Sequence, residues 1–213
     1  MSRKRTIFSS EKSYSELSPL IEEHDGLISY KWLKIALKYF GTTEIAKSKS
    51  DPLIVQFIAS TTGKTYRAKT KQGTFIEINS KTDLPLICSI GYKFNRLTKR
   101  GKRGARLNEE TTHWCSAFVN HVMLNSGYDV TNSLAARSWH RWGKRIKKKD
   151  RKEYLGAIAV FTRPDKDNPN AGHVGFYVGE TKYHYLILGG NQNNSVCVKK
   201  YRKKRLLSFR WPA

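Results

Sequence analysis

The chain has 213 residues, of which 40 are Lys or Arg and 17 are Asp or Glu, so its formal net charge is +23. Aromatic residues make up 12% of the chain, which excludes a disordered tail, and the length most simply forms one domain with a full core. A surface this basic favours polyanionic partners, and charge alone does not choose among nucleic acid, anionic cell-wall polymers and acidic lipid.

The first 29 residues form a polar leader that lacks the apolar region of a secretory signal. No later segment has the uninterrupted apolar length of a membrane span. We therefore expect a protein that is made in the cytoplasm without a signal peptide and reaches any outside target by another route. The three cysteines, Cys88, Cys115 and Cys197, include no CxxC pair, which argues against a disulfide scaffold and leaves at least one thiol free.

Two helices are predicted after the leader. Apolar residues at helical spacing predict a helix over residues 30–40, which ends at Gly41. Asp51 and Pro52 are a typical N-cap and first helical residue for a second helix in LIVQFIAS. Over residues 64–108, alternation in TFIEI and a basic stretch with glycines predict a small β insertion followed by a basic loop.

The segment TTHWCSAFVNHVMLNSG predicts a third helix with a cysteine in its first turn. Thr111 and Thr112 can cap its start, and Gly127 offers its end. The unpaired backbone N–H groups and the positive dipole end at a helix start favour a thiolate over a thiol. Cys115 is therefore a candidate nucleophile, although a free cysteine is more often a small buried apolar residue.

Two tryptophans lie three residues apart in SWHRWG, beside a basic run. Trp139 and Trp142 fit a substrate groove and core packing equally well. Trp114 and Gln192 are two further candidates for substrate contact.

The final third of the chain predicts five antiparallel strands with short polar links, as in a meander or small barrel. Their sequences are GAIAVF, HVGFYVGE, YHYLILGG, SVCVKKY and LLSFRW. In the second of these, alternation sends Val174, Phe176 and Val178 to the core face and His173 to the opposite face. Glycines beside His173 allow the start of the cysteine helix to approach closely, which makes His173 the candidate base.

The stretch GGNQNN, residues 189–194, follows the next strand and can reach back toward His173. An amide or carboxylate that accepts the far imidazole N–H fixes the tautomer of a catalytic histidine. We take Asn191 as this residue, with Glu180 and Gln192 as alternatives. The same stretch is equally typical of a plain turn.

The order of a cysteine at a helix start, a histidine at a strand start and a polar residue one strand later resembles papain-like cysteine hydrolases. The motifs WCSAFVN, ARSWHRWG, GHVGFYVGE and LGGNQNNSVCV are similar to those of a phage and bacterial subgroup of the NlpC and CHAP (cysteine, histidine-dependent amidohydrolase/peptidase) superfamily, which cuts peptidoglycan. The match runs from about Trp32 to Phe209. Residues 64–106 have no counterpart in the subgroup, and His113 stands where the subgroup usually has proline.

This resemblance implies an α+β, papain-like fold in which N-terminal helices pack on a C-terminal antiparallel sheet of about five strands. Residues 1–29 would be a leader, and residues 30–213 a single hydrolase domain with the basic insertion at about 64–108. The resemblance assigns Cys115 as nucleophile, His173 as base and Asn191 as orienting residue, with no metal or other cofactor. The expected reaction is cleavage of an amide bond in or next to the peptidoglycan stem peptide through an acyl-enzyme.

Peptidoglycan is then the main partner of a phage lysin or an antibacterial toxin, which acts on the cell wall in the periplasm of a host or target cell. For a toxin, an immunity protein or a component of a secretion apparatus is a further expected partner. The rival interpretation is a basic nucleic-acid-binding protein without catalysis, which leaves the pattern of Cys115 and His173 unexplained, so we expect no specific nucleic acid. A zinc hydrolase that uses these two residues with His113, His121 and His184 matches no standard ligand spacing.

Overall fold

The computed structural model describes residues 30–44, 51–62, 65–69, 75–79, 97–99 and 112–213. In these residues the fold is α+β, with three α-helices, a six-stranded antiparallel sheet and a separate three-stranded sheet. The leader and the apolar run around Cys88 lie outside the described residues. Within the described ranges, every helix is too short or too polar to span a membrane.

The α-helices are α1 (Lys31–Lys38), α2 (Pro52–Thr62) and α3 (Cys115–Asn125). The strands are β1 (Thr65–Lys69), β2 (Phe75–Asn79), β3 (Leu97–Lys99), β4 (Lys144–Ile146), β5 (Ile158–Thr162), β6 (Gly172–Glu180), β7 (His184–Gln192), β8 (Ser195–Arg202) and β9 (Leu206–Trp211). Short 3₁₀ helices cover Ala136–Arg141, Lys148–Glu153 and Lys203–Arg205. The strands β1 to β3 pair in the order β2-β1-β3, inside the segment where the sequence predicts a β insertion.

The first two helices are confirmed by the structure. The helix α1 buries one face, through Trp32 and Leu33 among others. Asp51 caps α2 as predicted, because its Oδ1 accepts a hydrogen bond from the backbone N–H of Leu53 at 2.9 Å.

The start of α3 differs from the predicted threonine cap. Its N-cap is Trp114, and no side chain caps the helix. The indole N–H of Trp114 donates to Glu44 at 2.6 Å and the ring is fully buried, so packing of this ring sets the point where the helix begins. Cys115 is the first helical residue, as predicted for the first turn, and Gly127 follows the helix with a φ of +89°.

The main sheet has the strand order β4-β9-β5-β6-β7-β8. All five predicted strands are present as β5 to β9, and β5 to β8 form the predicted meander. The strand β9 then returns to pair with β5, and the short β4 pairs with β9 at the sheet edge. The sequence analysis misses β4 because Lys144 and Arg145 give it no apolar alternation.

Both faces of this sheet are covered. The predicted core residues Val174, Phe176 and Val178 pack with α3 in the main core, while Phe161 belongs to a second cluster on the other face. The rings of Phe161 on β5 and Tyr201 on β8 have centroids 5.0 Å apart. In a flat sheet these strands would be about 14 Å apart, at roughly 4.8 Å per strand. The sheet therefore curls around its second cluster.

A buried histidine joins the three α-helices. His121 of α3 is 1% exposed, and its ring nitrogens lie 3.1 Å from Ser60 Oγ of α2 and 2.9 Å from the Tyr39 hydroxyl at the end of α1. Burial lowers the pKa of His121 to about 4. The imidazole is therefore neutral at pH 7 and acts as a hydrogen-bonding link.

We expect the free energy of unfolding to fall as the pH drops from about 6.5 to about 4. The pKa of His121 is lower in the folded state, so the unfolded chain binds more protons in this window and stability rises with pH across it. Chemical denaturation at a series of pH values measures this slope. His121→Gln removes one titrating group and should reduce the slope, while His173, whose pKa burial also lowers, keeps part of it. An unchanged slope would contradict this role.

Candidate active site

The start of α3 meets the start of β6 at a buried junction. The backbone N–H of Val174, the residue directly after His173, is close enough to the Cys115 sulfur to act against the rise in its thiol pKa. Cys115 is 4% exposed and His173 is 6% exposed. The fold thus brings the predicted nucleophile and the predicted base to the same junction, although they are 58 positions apart in the sequence.

The imidazole of His173 has two contacts, one on the face of its ring and one at a ring nitrogen. Its ring stacks on Tyr201 of β8, with centroids 4.6 Å apart and an interplanar angle of 8°. Its Nε2 lies 3.0 Å from Oε1 of Gln192. These two contacts fix the plane and the direction of the ring.

The amide of Gln192 determines which tautomer His173 adopts. Its Nε2 donates to the backbone carbonyl oxygens of Ile187, at 3.1 Å, and of Cys197. The amide N–H groups must face these two carbonyls, so Oε1 faces His173 as an acceptor. His173 therefore donates its Nε2–H and carries its lone pair on Nδ1. A histidine in this state can take a proton at Nδ1.

The prediction that Asn191 contacts His173 is wrong, because the contact is made by Gln192. Asn191 has a φ of +54°, and the register between β7 and β8 shifts between Gly189 and Gln192. This irregularity interrupts the alternation and turns Gln192 inward, where it is 1% exposed. The sequence analysis also proposes Gln192 as a substrate contact. Its amide is occupied by these hydrogen bonds, so it is not available to a substrate.

Glu180, the other alternative, is engaged elsewhere. Its carboxylate pairs with Arg151 at 2.6 Å and with Lys203 at 3.0 Å. These contacts lower the pKa of Glu180, with the hydrogen bond from Arg151 as the largest cause. Glu180 thus ties two basic 3₁₀ helices to the end of β6.

Burial dominates the electrostatics of the Cys115 and His173 pair. It raises the pKa of the Cys115 thiol, against the opposing effects of the Val174 N–H and the charge of Arg163. It lowers the pKa of His173 to about 3, against the opposing effect of the Gln192 hydrogen bond. Both groups are therefore neutral at pH 7. The thiolate expected from the helix start is outweighed by loss of solvation.

The tryptophans predicted to contact substrate are mostly core residues. Trp114 and Trp139 are fully buried, and their indole N–H groups donate to Glu44 at 2.6 Å and to Ser116 Oγ at 3.0 Å. Burial and these bonds remove both rings from the surface, so Trp139 follows the core alternative. Trp142 is partly exposed and packs edge-on against Trp139.

Two residues at the junction are missed by the sequence analysis. Tyr201 contacts His173 only because the sheet curls, and no local pattern in SVCVKKY signals this contact. Arg163, one residue after β5, donates to Nε2 of His113 at 3.0 Å and pairs with Asp165 at 3.2 Å. Its guanidinium is the cation that acts on both Cys115 and His173, but its spacing in the sequence carries no signal of that role.

No three His, Cys, Asp or Glu side chains of the described residues group in a way that could hold a metal ion. The histidines proposed as zinc ligands contact different partners in different parts of the fold. His121 links the helices, His113 contacts Arg163, and His173 contacts Gln192.

A scan against models of known protein families finds no match to this chain, and a search of curated proteins finds none with significant similarity. A function for this chain is therefore inferred from the geometry around Cys115 and His173, together with the resemblance of its motifs.

We expect alkylation of Cys115 by iodoacetamide to be slow at about pH 7 and to rise steeply above the range of an ordinary thiol, because burial raises its pKa. Peptide mass spectrometry separates the modification of Cys115 from that of Cys197, which is half-buried and serves as an internal reference. A rate for Cys115 that has already reached its plateau at about pH 5 would indicate a thiolate–imidazolium pair and contradict the neutral state.

Proposed function

We propose that this chain is a papain-like cysteine hydrolase that cleaves an amide bond in or next to the stem peptide of peptidoglycan. The observation that carries this proposal is the hydrogen bond from His173 to Gln192, which leaves the lone pair of Nδ1 available as a proton acceptor at the junction where Cys115 begins a helix. A thiol, a base and a third group that orients the base are the components of nucleophilic acyl transfer.

Acylation begins with a proton transfer, because the thiol and the imidazole are both neutral. The thiol proton of Cys115 moves to Nδ1 of His173 as the sulfur bonds to the substrate carbonyl carbon. Gln192 stabilises the resulting imidazolium by accepting its Nε2–H. His173 then returns the proton to the leaving amine, the C–N bond breaks, and a thioester remains on Cys115.

Deacylation uses the same base. His173 removes a proton from water as the water oxygen attacks the thioester carbonyl, and the proton passes to the sulfur as the C–S bond breaks. The negative charge on the carbonyl oxygen develops next to the start of α3. The backbone N–H of Cys115 has no intrahelical acceptor there and can donate to that oxygen.

The choice of peptidoglycan as substrate is supported by the resemblance of the four motifs to those of cell-wall hydrolases and by the net charge of +23. Stem peptides carry carboxylates, so a cationic protein is attracted to and retained on the wall. A lysin or an antibacterial toxin fits this chemistry, and a toxin would be matched by an immunity protein.

We expect Cys115→Ala to lower the release of muropeptides from purified sacculi by a factor on the order of a thousand or more, because the attacking sulfur is lost. Mass spectrometry of the released fragments measures this loss and identifies the cleaved bond. Cys88→Ala is the matched control, since it removes a thiol elsewhere in the chain. Full release by the Cys115 variant would reject the mechanism, and steeply salt-dependent nucleic-acid binding without any hydrolysis would favour the rival function.

Gln192→Ala should lower kcat by about a hundredfold or more, because His173 loses the acceptor that fixes its tautomer. Asn191→Gly should have little effect, since glycine keeps the positive φ without strain. Nitrogen NMR shifts of His173 should report a mixture of tautomers in the Gln192 variant alone. A larger loss of kcat in the Asn191 variant would reverse the assignment of the orienting residue.

A further inference from the structure

Two arginines face each other at the edge of the main sheet. Arg145 of β4 lies directly opposite Arg210 of β9 in the antiparallel register. Side chains at such positions have Cβ atoms about 4.5–5.5 Å apart, and like charges there destabilise the strand pair. Arg145 is exposed and Arg210 is half-buried, so the pair is open to solvent on one side.

A histidine from a third element joins this pair through a serine. His140 lies near the end of the 3₁₀ helix Ala136–Arg141, and its Nδ1 is 2.9 Å from Ser208 Oγ on β9. Nε of Arg210 lies 3.4 Å from the same oxygen. The β4 strand, the β9 strand and the 3₁₀ helix thus direct nitrogen-bearing side chains to one place.

The cluster is strongly cationic. Among the residues that the structure describes, the carboxylates in ion pairs contact Arg151, Arg163 or Lys203. None of them pairs with Arg145 or Arg210. Burial lowers the pKa of His140, and the charges of Arg210, Arg145, Arg141 and Arg137 lower it further. Burial and the charge of Arg145 also lower the pKa of Arg210. The four arginines therefore all lower the pKa of the imidazole.

The backbone holds the two arginines in this position. Gly143, directly before β4, has a φ of +53°, and a Cβ there would overlap the carbonyl oxygen of Trp211 on β9. The close approach presses the start of β4 against the end of β9. A shift of register, which would separate the charges, is opposed by this contact.

We propose that Arg145, Arg210 and His140 form a binding site for a phosphate-type oxyanion, which is either free phosphate or the phosphate group of an ester. Guanidinium groups present forked donors that match phosphate oxygens. Donors from three elements suit the three or four oxygens of a tetrahedral group better than the two coplanar oxygens of a carboxylate. A bound anion converts the repulsion between the arginines into charge-assisted hydrogen bonds. This site is independent of the proposed hydrolase activity.

The test is isothermal titration calorimetry of the full chain with inorganic phosphate, at an ionic strength held constant with chloride. We expect saturable binding, and a loss of affinity of about tenfold or more in Arg145→Gln, because a hydrogen bond to a charged group contributes at least that factor. Lys144→Gln is the matched control. It removes the same charge one residue away, from the opposite face of β4, and should keep the binding.

Further titrations test whether the site prefers a tetrahedral anion, and whether that anion is free phosphate or part of an ester. Acetate should bind more weakly than phosphate, and equal affinity would overturn the preference for a tetrahedral anion. Stronger binding of inorganic phosphate than of a glycerol phosphodiester would assign free phosphate, whereas equal binding would assign a phosphodiester chain. In parallel, phosphate should raise the pKa of His140 in an NMR titration. No saturable binding, or an equal loss in the Arg145 and Lys144 variants, would overturn the proposal.

Discussion

The hydrogen bonds of one buried amide hold the candidate active site in place. Gln192 donates twice to backbone carbonyls of β7 and β8 and accepts once from His173 on β6. A buried amide that lost one of these partners would leave a polar group unsatisfied, at a cost of roughly 1–3 kcal/mol. The amide therefore cannot flip, and the histidine is left with one tautomer. The chemistry proposed for this chain depends on that single orientation.

Burial gives the site a neutral resting state. The Cys115 thiol and the His173 imidazole are shielded from water, and each is more stable without charge. In the proposed mechanism, charge arises only when a substrate carbonyl takes the electrons of the sulfur, so proton transfer is coupled to attack. The start of α3 and the guanidinium of Arg163 stabilise negative charge at the same place.

Sequence patterns predict the parts of this site that follow regular periodicity. Helical spacing places Cys115 in a first turn, and strand alternation places His173 opposite the core residues of β6. These patterns do not predict that Gln192 contacts His173. The positive φ of Asn191 and the register shift beside it interrupt the alternation and bring Gln192 to the inner position. The patterns also do not predict the stacking of Tyr201, since it depends on the curl of a whole sheet.

The central claim is that the Cys115 sulfur becomes acylated with help from His173. Intact-mass and peptide mass spectrometry of the acid-quenched reaction with a stem-peptide substrate test it most directly. The account predicts a transient thioester on Cys115 whose added mass equals the acyl part of the substrate, and which does not form in His173→Gln. Turnover of the substrate with Cys115 unmodified at every quench time would contradict it.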